Sequence, residues 1–184
     1  REHNEQGQRA RARLHDEHTR ASELNQRVGE LEGELRRLAE EVSTDQLTQI
    51  ANRRGMLQAF EAERSRLERG GGTLSIGLLD IDNFKRLNDE LGHAAGDVAL
   101  RSLAAVVSKT LRPSDSVARF GGDEFMVLLP TFHHTADVEE VAQKLLGAIE
   151  SPIQIEGRPI SVTPSVGIAV FPQDGQSADE LIKH

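Results

Sequence analysis

Apolar side chains in the first 44 residues recur at alternating steps of three and four, although charged and amide side chains dominate this region. On a heptad repeat with Leu14 at position a, Glu17 is the one interruption of the a and d positions. The apolar residues at these positions are Leu14, Ala21, Leu24, Val28, Leu31, Leu35, Leu38 and Val42. This pattern predicts a coiled-coil helix over residues 1–44, and Val at a with Leu at d favours a parallel dimer. The alternative is an amphipathic helix packed on its own domain, but the stripe is narrower than a core-facing helix usually shows.

Longer apolar runs punctuated by glycine begin after about Asp45 and predict a globular domain over residues 45–184. The periodicity predicts strands at 73–79, 116–120, 124–129, 153–155 and 160–170, and helices at 83–91, 94–111 and 135–150. Gly121 and Gly122 separate two of the strands and indicate a hairpin turn. Pro164 suits an edge strand or a bulge. Together these elements predict an α+β domain, or α/β in a looser naming.

Composition narrows the classes of function. The chain has 184 residues, room for one domain of ordinary size and a shorter appendage. A net charge of -8 argues against broad binding to nucleic acid or to anionic membranes. The chain has no cysteine, which excludes disulfides, thiolate nucleophiles and cysteine-zinc sites and agrees with a cytoplasmic location. No apolar run reaches the length of a membrane span.

The ends of the sequence predict a fragment of a longer protein. It opens at Arg1 without a methionine, and residues 179–184 have the pattern of an amphipathic helix that has only begun. We therefore expect further segments on both sides, including a sensor domain upstream. A membrane anchor elsewhere in that longer protein is compatible with this expectation.

Two acidic pairs follow predicted strands. The first strand leads directly into Asp80, Ile81 and Asp82, and Asp123 with Glu124 follows the paired glycines. If the hairpin pairs beside the first strand, the carboxylates meet at one rim of the sheet and repel one another unless a cation binds. Hard divalent ions such as Mg²⁺ take oxygen ligands and keep water and phosphate oxygens in the remaining positions, an arrangement used for two-metal displacement at phosphorus.

Each acidic pair, taken singly, is more typical of a solvated turn, and Gly121–Gly122 alone is an ordinary hairpin turn. The functional interpretation is that backbone N–H groups without a neighbouring Cβ approach a base or a phosphate closely. It is the combination of the acidic pairs with the glycines that favours a metal-dependent nucleotide site.

Several ordered motifs closely resemble those of GGDEF-domain diguanylate cyclases. They are Leu-Asp-Ile-Asp-Asn-Phe-Lys-Arg-Leu-Asn-Asp at 79–89, Gly-His at 92–93, Gly-Asp at 96–97 and Arg-Phe-Gly-Gly-Asp-Glu-Phe at 119–125. Residues 45–48, 52–54 and 165–168 also look like that family, so the resemblance runs from about residue 43 to the end. It implies a nucleotidyl-cyclase-like palm, with a central, mainly antiparallel sheet flanked by helices. It further implies a dimer that condenses two GTP into cyclic di-GMP and releases two pyrophosphates.

The resemblance also implies roles for individual residues. Asp80, the carbonyl of Ile81 and Asp123 would hold two Mg²⁺ ions, or Mn²⁺ in their place. Asp123 or Glu124 would receive the proton of the attacking hydroxyl, and Lys85 would stabilise charge on the phosphates. The residues expected to line the nucleotide pocket are Phe84, Asn88, His93, Asp97, Gly121 and Gly122, with Asn88 and Asp97 on the guanine edge. Elsewhere Lys85 would be interpreted as a solvated helix lysine and His93 as a structural turn residue.

A second site is suggested by Arg112 and Asp115, which form an R-x-x-D sequence upstream of Gly121 at the spacing of the family's inhibitory site. Cyclic di-GMP would bind there as a product inhibitor, since arginine can chelate a phosphate or a guanine. The alternative is a helix-terminal arginine followed by a Pro-Ser-Asp turn.

The chain departs from the family's pattern in three places. Gln49 stands where the family commonly has glycine, and Pro164 precedes Ser165. Family members also continue past this point with a helix whose basic residues reach the triphosphate, so low turnover is expected if nothing follows His184.

Two rival hypotheses remain beside the enzyme. One is a GGDEF-like sensor that binds GTP or cyclic di-GMP without catalysis, and the other is a dimerisation helix with an incidental globular domain. The unbroken Gly-Gly-Asp-Glu-Phe motif together with Asp80 favours the enzyme, because a pure sensor has no need of paired metal carboxylates.

Overall fold

The structure, a computed structural model, describes residues 2–183, and the side chains of 11, 13–38 and 42–183. Arg1 and His184, with which the predicted regions begin and end, lie outside the described residues. The chain forms two compact units that divide between Val42 and Ser43. Within residues 2–183, no helix combines the length and the apolar character that crossing a membrane requires.

The first unit is formed by helix α1 (Glu2–Ser43), 42 residues long. Its large apolar side chains at the a and d positions are all exposed, over 47% to 66% of their surface: Leu14, Leu24, Val28, Leu31, Leu35, Leu38 and Val42. The chain therefore leaves this apolar stripe uncovered. The helix is observed, and its pairing into a coiled coil stays a prediction.

The second unit is built on a five-stranded sheet. The strands of this unit are, in chain order, β1 (Ala51–Asn52), β2 (Leu74–Ile81), β3 (Ser116–Gly121), β4 (Glu124–Pro130), β5 (Ile153–Ile155), β6 (Arg158–Ile160) and β7 (Pro164–Phe171). The order across the main sheet is β1-β3-β4-β2-β7. Only the short β1–β3 pair within it is parallel, while β5 and β6 form a separate antiparallel hairpin. The predicted α+β class with a mainly antiparallel sheet is confirmed.

Helices cover both faces of the sheet. They are α2 (Arg53–Gly70), α3 (Phe84–Leu91), α4 (His93–Thr110), α5 (Thr135–Ile149) and α6 (Ala178–Lys183). Alternation along β2 divides its apolar side chains between two cores: Leu74 and Ile76 pack with residues of α2 and α6, whereas Leu79 and Ile81 pack with residues of α4 and α5. Strand β2 is thus buried on both faces until Asp80 emerges at the rim.

Three elements differ from the sequence prediction: the strand expected at 160–170, helix α2, and the two-residue strand β1, which was not predicted. Residues 160–170 do not form one strand: residues 158–160 pair with β5, and the chain then crosses to the main sheet as β7. Pro164 is the first residue of this edge strand, where its missing N–H costs no ladder hydrogen bond. Helix α2 was not predicted, because only Met56, Phe60 and Leu67 of its 18 residues are buried and most of its other residues are polar.

Candidate active site at the rim of the sheet

Acidic residues of the two central strands meet at one rim. Strands β2 and β4 are neighbours, and their antiparallel register places Asp80 opposite Glu124. Asp123 lies in the turn immediately before Glu124, and its carboxyl group is close enough to that of Asp80 to raise the pKa of Asp80. The strand ends therefore bring Asp80, Asp123 and Glu124 together on the same side of the sheet.

This crowding changes the protonation of Asp80. Desolvation and the hydrogen bond with Asp123 raise its pKa, and the negative charges of Asp123 and Glu124 act in the same direction. The backbone N–H of Ile81 opposes them, yet the pKa of Asp80 still rises from 3.8 to about 6. Near neutral pH the rim thus carries excess negative charge, which a cation would relieve.

The turn that carries Asp123 depends on its glycines. The β3–β4 register shifts between Arg119 and Gly121, so Phe120 is the extra residue of a bulge. Gly121 and Gly122 have φ values of 136° and 52°, a region that residues with a side chain rarely adopt. A Cβ on either glycine would meet nothing within 4 Å, so the turn leaves open space beside Asp123.

A half-buried ion pair between Arg119 and Asp45 supports the same turn. The Nε of Arg119 donates to the carbonyl of Gly122 at 2.9 Å, and its Nη1 lies 3.2 Å from Oδ2 of Asp45. Asp45 also accepts hydrogen bonds from the backbone N–H and the hydroxyl of Thr48. Burial acts to raise the pKa of Asp45, but the Thr48 hydrogen bonds and the Arg119 charge outweigh it and lower that pKa. The segment after helix α1 is in this way fixed to the glycine turn.

Helices α3 and α4 bring the predicted guanine-binding residues to one corner. Gly96 of α4 packs so closely against α3 that a Cβ there would collide with Oδ1 of Asn88 and lie 3.2 Å from Cζ of Phe84. Asp97 is the next residue of α4. The side chains of Phe84, Asn88 and Asp97 are half-buried. Lys85 and His93 are exposed on the same two helices.

Asp82 is hydrogen-bonded to the segment around the start of β7. It lies beyond the end of β2, where its N–H donates to the carbonyl of Thr163 at 2.8 Å. Its carboxylate accepts a hydrogen bond of 2.6 Å from the hydroxyl of Ser165. Asp82 therefore connects β2 to β7 through Ser165, the residue opposite Asp80 in the sheet, and its place beside Asp80 at the rim stays a prediction.

A cleft of about 500 Å³ opens beside Asp80 and Glu124. Its walls include Arg53, Phe120, Ser165 and Ile182, which belong to four different elements. The sequence did not identify Arg53 as a site residue, because its place in the cleft depends on β1 pairing with β3. The only local signal was its position within residues 52–54, which look like the family.

The acidic residues suit a divalent cation only in part. Among residues 2–183, no group of three or more His, Cys, Asp and Glu side chains is arranged to hold a metal ion by itself. Asp80 and Asp123 do supply two adjacent carboxylates, and their mutual repulsion is visible in the raised pKa of Asp80. Because Mg²⁺ commonly keeps water and substrate phosphates among its six ligands, the pair fits a site that a bound nucleotide completes.

The residues of the predicted product site are already paired with each other. Asp115 accepts hydrogen bonds from the backbone N–H of Arg112 at 2.9 Å and from its Nη2 at 3.1 Å. The Asp115 side chain is fully buried, while that of Arg112 is 53% exposed. Arg112 also lines a separate cleft of about 240 Å³ with Asp137 and Lys144. The arrangement resembles the alternative interpretation, a helix-terminal arginine followed by a turn, in which only the guanidinium group of Arg112 reaches solvent.

Comparisons with known proteins agree with this architecture. The family described as "Diguanylate cyclase, GGDEF domain" matches residues 42–184. Diguanylate cyclase DgcP of Pseudomonas aeruginosa is 38% identical over 99% of this chain, and cyclic di-GMP phosphodiesterase NbdA of the same organism is 35% identical over 96%. The chain spans only 27% and 22% of those two proteins.

Solved structures match as well. The coiled coil and GGDEF domain of DgcB from Caulobacter crescentus, in complex with c-di-GMP, aligns with a TM-score of 0.76 at 26% identity, covering 90% of this chain and 87% of that one. A GGDEF-only form of TpbB from Pseudomonas aeruginosa gives 0.73 at 34% identity, covering 76% and 82%. With the family match, the acidic rim and the sheet order in agreement, the chain belongs to the GGDEF-domain diguanylate cyclase family.

Proposed function

We propose that this chain is the catalytic part of a diguanylate cyclase, which converts two GTP into one cyclic di-GMP and two pyrophosphates. The observation that carries the proposal is the convergence of Asp80 with Glu124 and the adjacent Asp123 beside a cleft of about 500 Å³. A pair of carboxylates that repel each other beside a cleft is suited to a metal-bound polyphosphate. A domain that uses GTP as its substrate would act in the cytoplasm.

The acidic rim would hold the metals and the reacting phosphate. Asp80, the carbonyl of Ile81 and Asp123 would bind two Mg²⁺ ions, with Mn²⁺ as a substitute. When bound, such ions polarise the α-phosphate and lower the pKa of the attacking 3′-hydroxyl. Asp123 or Glu124 would receive the hydroxyl proton, and Lys85 would stabilise negative charge on the phosphates.

The α3–α4 corner would select the base. Asp97 can accept from the N1–H and N2–H₂ donors of guanine, while the amide of Asn88 can donate to an acceptor on the same edge. Phe84 and Asn88 both lie close to Gly96, where a Cβ would meet both side chains. His93 would line the pocket, and Gly121 with Gly122 would give the nucleotide its space.

Dimerisation is part of the proposal, since one domain holds one GTP and the reaction joins two. The exposed apolar stripe of α1 suits a parallel coiled coil with a second copy. Such a dimer raises the effective concentration of one catalytic domain near the other. An upstream sensor in the longer protein would act by changing the pairing of this helix.

Product inhibition would use Arg112, whose guanidinium is half-exposed, together with Asp115. Binding of cyclic di-GMP would then exchange some of the contacts between these two residues for contacts with the ligand. Arg112→Ala is expected to raise the product concentration needed for half-inhibition at least tenfold. Unchanged inhibition in a steady-state assay would count against this site.

The central experiment is to incubate the protein with GTP and Mg²⁺ and to follow cyclic di-GMP and pyrophosphate by chromatography. Two pyrophosphates are expected for each cyclic dinucleotide. Asp123→Ala should lower the rate by about 100-fold or more, because it removes one metal ligand. Circular dichroism and light scattering should show that this variant keeps its fold and its oligomeric state.

Two outcomes would overturn the proposal. Full turnover in Asp123→Ala would show that Asp123 is not a required metal ligand. A wild-type protein that binds GTP or cyclic di-GMP but forms no product would instead be a sensor, the rival function that family membership leaves open, since the similar protein NbdA is named a phosphodiesterase.

A further inference from the structure

The large cleft beside the acidic rim has one basic wall. Its charged side chains among the described residues are Asp80 and Glu124 on the rim, and Arg53 at the start of α2. A triphosphate that enters this cleft brings several negative charges, and the rim cannot neutralise them without metal. Arg53 is the cationic side chain that the fold adds to the same space.

The backbone of Arg53 is held in place by the sheet. The preceding residue, Asn52, pairs in register with Arg119 and caps α2 by accepting a hydrogen bond of 3.0 Å from the N–H of Gly55. Arg53 consequently leaves the sheet next to Phe120, the bulged residue of β3. Its position thus follows from the same strand that carries the glycine turn.

The guanidinium group of Arg53 is oriented by Phe120. Its central carbon lies 5.3 Å from the centroid of the phenyl ring, within the range of a cation–π interaction. A guanidinium packed over a ring keeps its N–H donors at its edge, where they can form two parallel hydrogen bonds with a phosphate.

The other contact of Arg53 is weak. Its Nη2 lies 3.8 Å from Oδ1 of Asp179 on α6, and the two side chains are 59% and 73% exposed. Ion pairs with such exposure contribute little to stability. A phosphate group can therefore replace Asp179 as the partner of Arg53 at small cost.

We infer that Arg53 binds the β- and γ-phosphates of the nucleotide and makes the site selective for a triphosphate over a monophosphate. The inference rests on the proposed function, which places the α-phosphate at the Asp80–Asp123 rim. From that point the remaining two phosphates extend into the cleft that Arg53 lines. Arg53 is also the group that would hold pyrophosphate until it leaves.

The test compares nucleotide binding to the wild type and to Arg53→Ala, by calorimetry with Mg²⁺ and with α,β-methylene-GTP, which cannot react. The variant is expected to bind this analogue roughly 10- to 100-fold more weakly, the range for loss of hydrogen bonds to a charged group. Binding of GMP should change less than twofold. Arg53→Lys should recover part of the affinity, since it keeps the charge but not the paired donors.

Arg54→Ala is the matched control. Arg54 is the next residue of α2, it is also exposed, and it is not part of the cleft wall. The Arg54→Ala variant should bind both nucleotides with unchanged affinity, and the melting temperatures of all variants should agree within a few degrees.

Each result has a distinct meaning. Equal affinity of wild type and Arg53→Ala for the analogue would overturn the inference. An equal loss for the analogue and for GMP would also overturn it, because Arg53 would then act on the shape of the whole site. If the wild type binds neither nucleotide, the proposed function itself fails. A loss of affinity for the analogue alone, with unchanged affinity for GMP, supports both the inference and the proposed function.

Discussion

At the scale of single residues, Asp80 shows what strand register does to a titrating group. Its pKa of about 6 in the folded chain lies above the ordinary 3.8, because desolvation and the contact with Asp123 disfavour its charged form. A carboxyl group with a raised pKa stabilises the fold fully below its unfolded pKa, and this contribution is lost as the pH rises through about 6. Near neutral pH the metal-free protein carries this unfavourable interaction.

Metal binding should therefore depend on pH. A proton on Asp80 competes with the ion, so we expect the apparent affinity for Mg²⁺ to be about tenfold weaker at pH 5 than at pH 7, and nearly constant above pH 7. Calorimetric titration of the nucleotide-free protein with Mg²⁺, repeated across this range, measures the effect.

Asp82→Asn provides the control for that titration. Asp82 lies two residues from Asp80, but its carboxylate is bound by Ser165. The variant should keep both the affinity and its pH dependence. An affinity that does not change between pH 5 and pH 7 in the wild type would show that Asp80 is not the competing group.

At the scale of elements, the contact between α3 and α4 depends on the absence of a side chain at Gly96. Gly96→Ala should displace the Asn88 amide, because the new Cβ would occupy the place of its oxygen. We expect the preference for GTP over ATP in equilibrium binding to fall about tenfold, since hydrogen bonds to the base are lost. Thermal unfolding should change little, because alanine favours a helix by up to about 1 kcal/mol and offsets part of the strain.

Gly147→Ala is the matched substitution in another helix. A Cβ at Gly147 of α5 would meet nothing within 4 Å, so this variant should raise the free energy of unfolding by about 0.5–1 kcal/mol and leave nucleotide binding unchanged. An unchanged base preference in Gly96→Ala would separate Asn88 from guanine recognition.

Elements with strong local patterns were predictable from the sequence, and those decided by distant partners were not. The apolar run of β2 predicts a strand, and the periodic apolar residues of α5 predict a helix. Helix α2 was missed because Met56, Phe60 and Leu67 are too sparse to reveal a buried face. The break between β6 and β7 was missed because the run of residues 160–170 does not show that Arg158–Ile160 pairs with β5.

The same distinction applies to the site. The convergence of Asp80 with Asp123 was predicted, since two acidic strand ends need only one pairing to meet. The hydrogen bond between Asp82 and Ser165 was not predicted, because Ser165 comes from β7, 83 positions away in the chain. Arg53 was overlooked because its contact with Phe120 requires a two-residue strand that leaves no pattern in the sequence.

At the scale of the whole molecule, the exposed stripe on α1 predicts a dimer. Leu31 is a d residue of the repeat and is 47% exposed. Leu31→Glu would place a charge in the apolar seam, so this variant should be monomeric at concentrations where the wild type is dimeric. Its rate of cyclic di-GMP formation should fall at least tenfold, and higher protein concentration should restore part of it. Sedimentation and the turnover assay measure the two effects.

Gln26→Ala tests whether the position matters. Gln26 occupies an outward position of the same repeat, so the variant should remain dimeric and active. A wild-type protein that stays monomeric at every concentration tested would contradict the prediction that the apolar stripe of α1 forms a dimer interface.

The central place of β2 and β4 in the sheet has a consequence for the life of the protein in the cell. Strands held on both sides cannot separate to relieve the charge at their ends, so magnesium, the proposed cofactor, should also stabilise the folded protein when it binds. At a free ion concentration of 100 times Kd, binding adds about 2.7 kcal/mol to the free energy of unfolding. Magnesium starvation would then remove protein through unfolding and proteolysis, in addition to slowing any reaction.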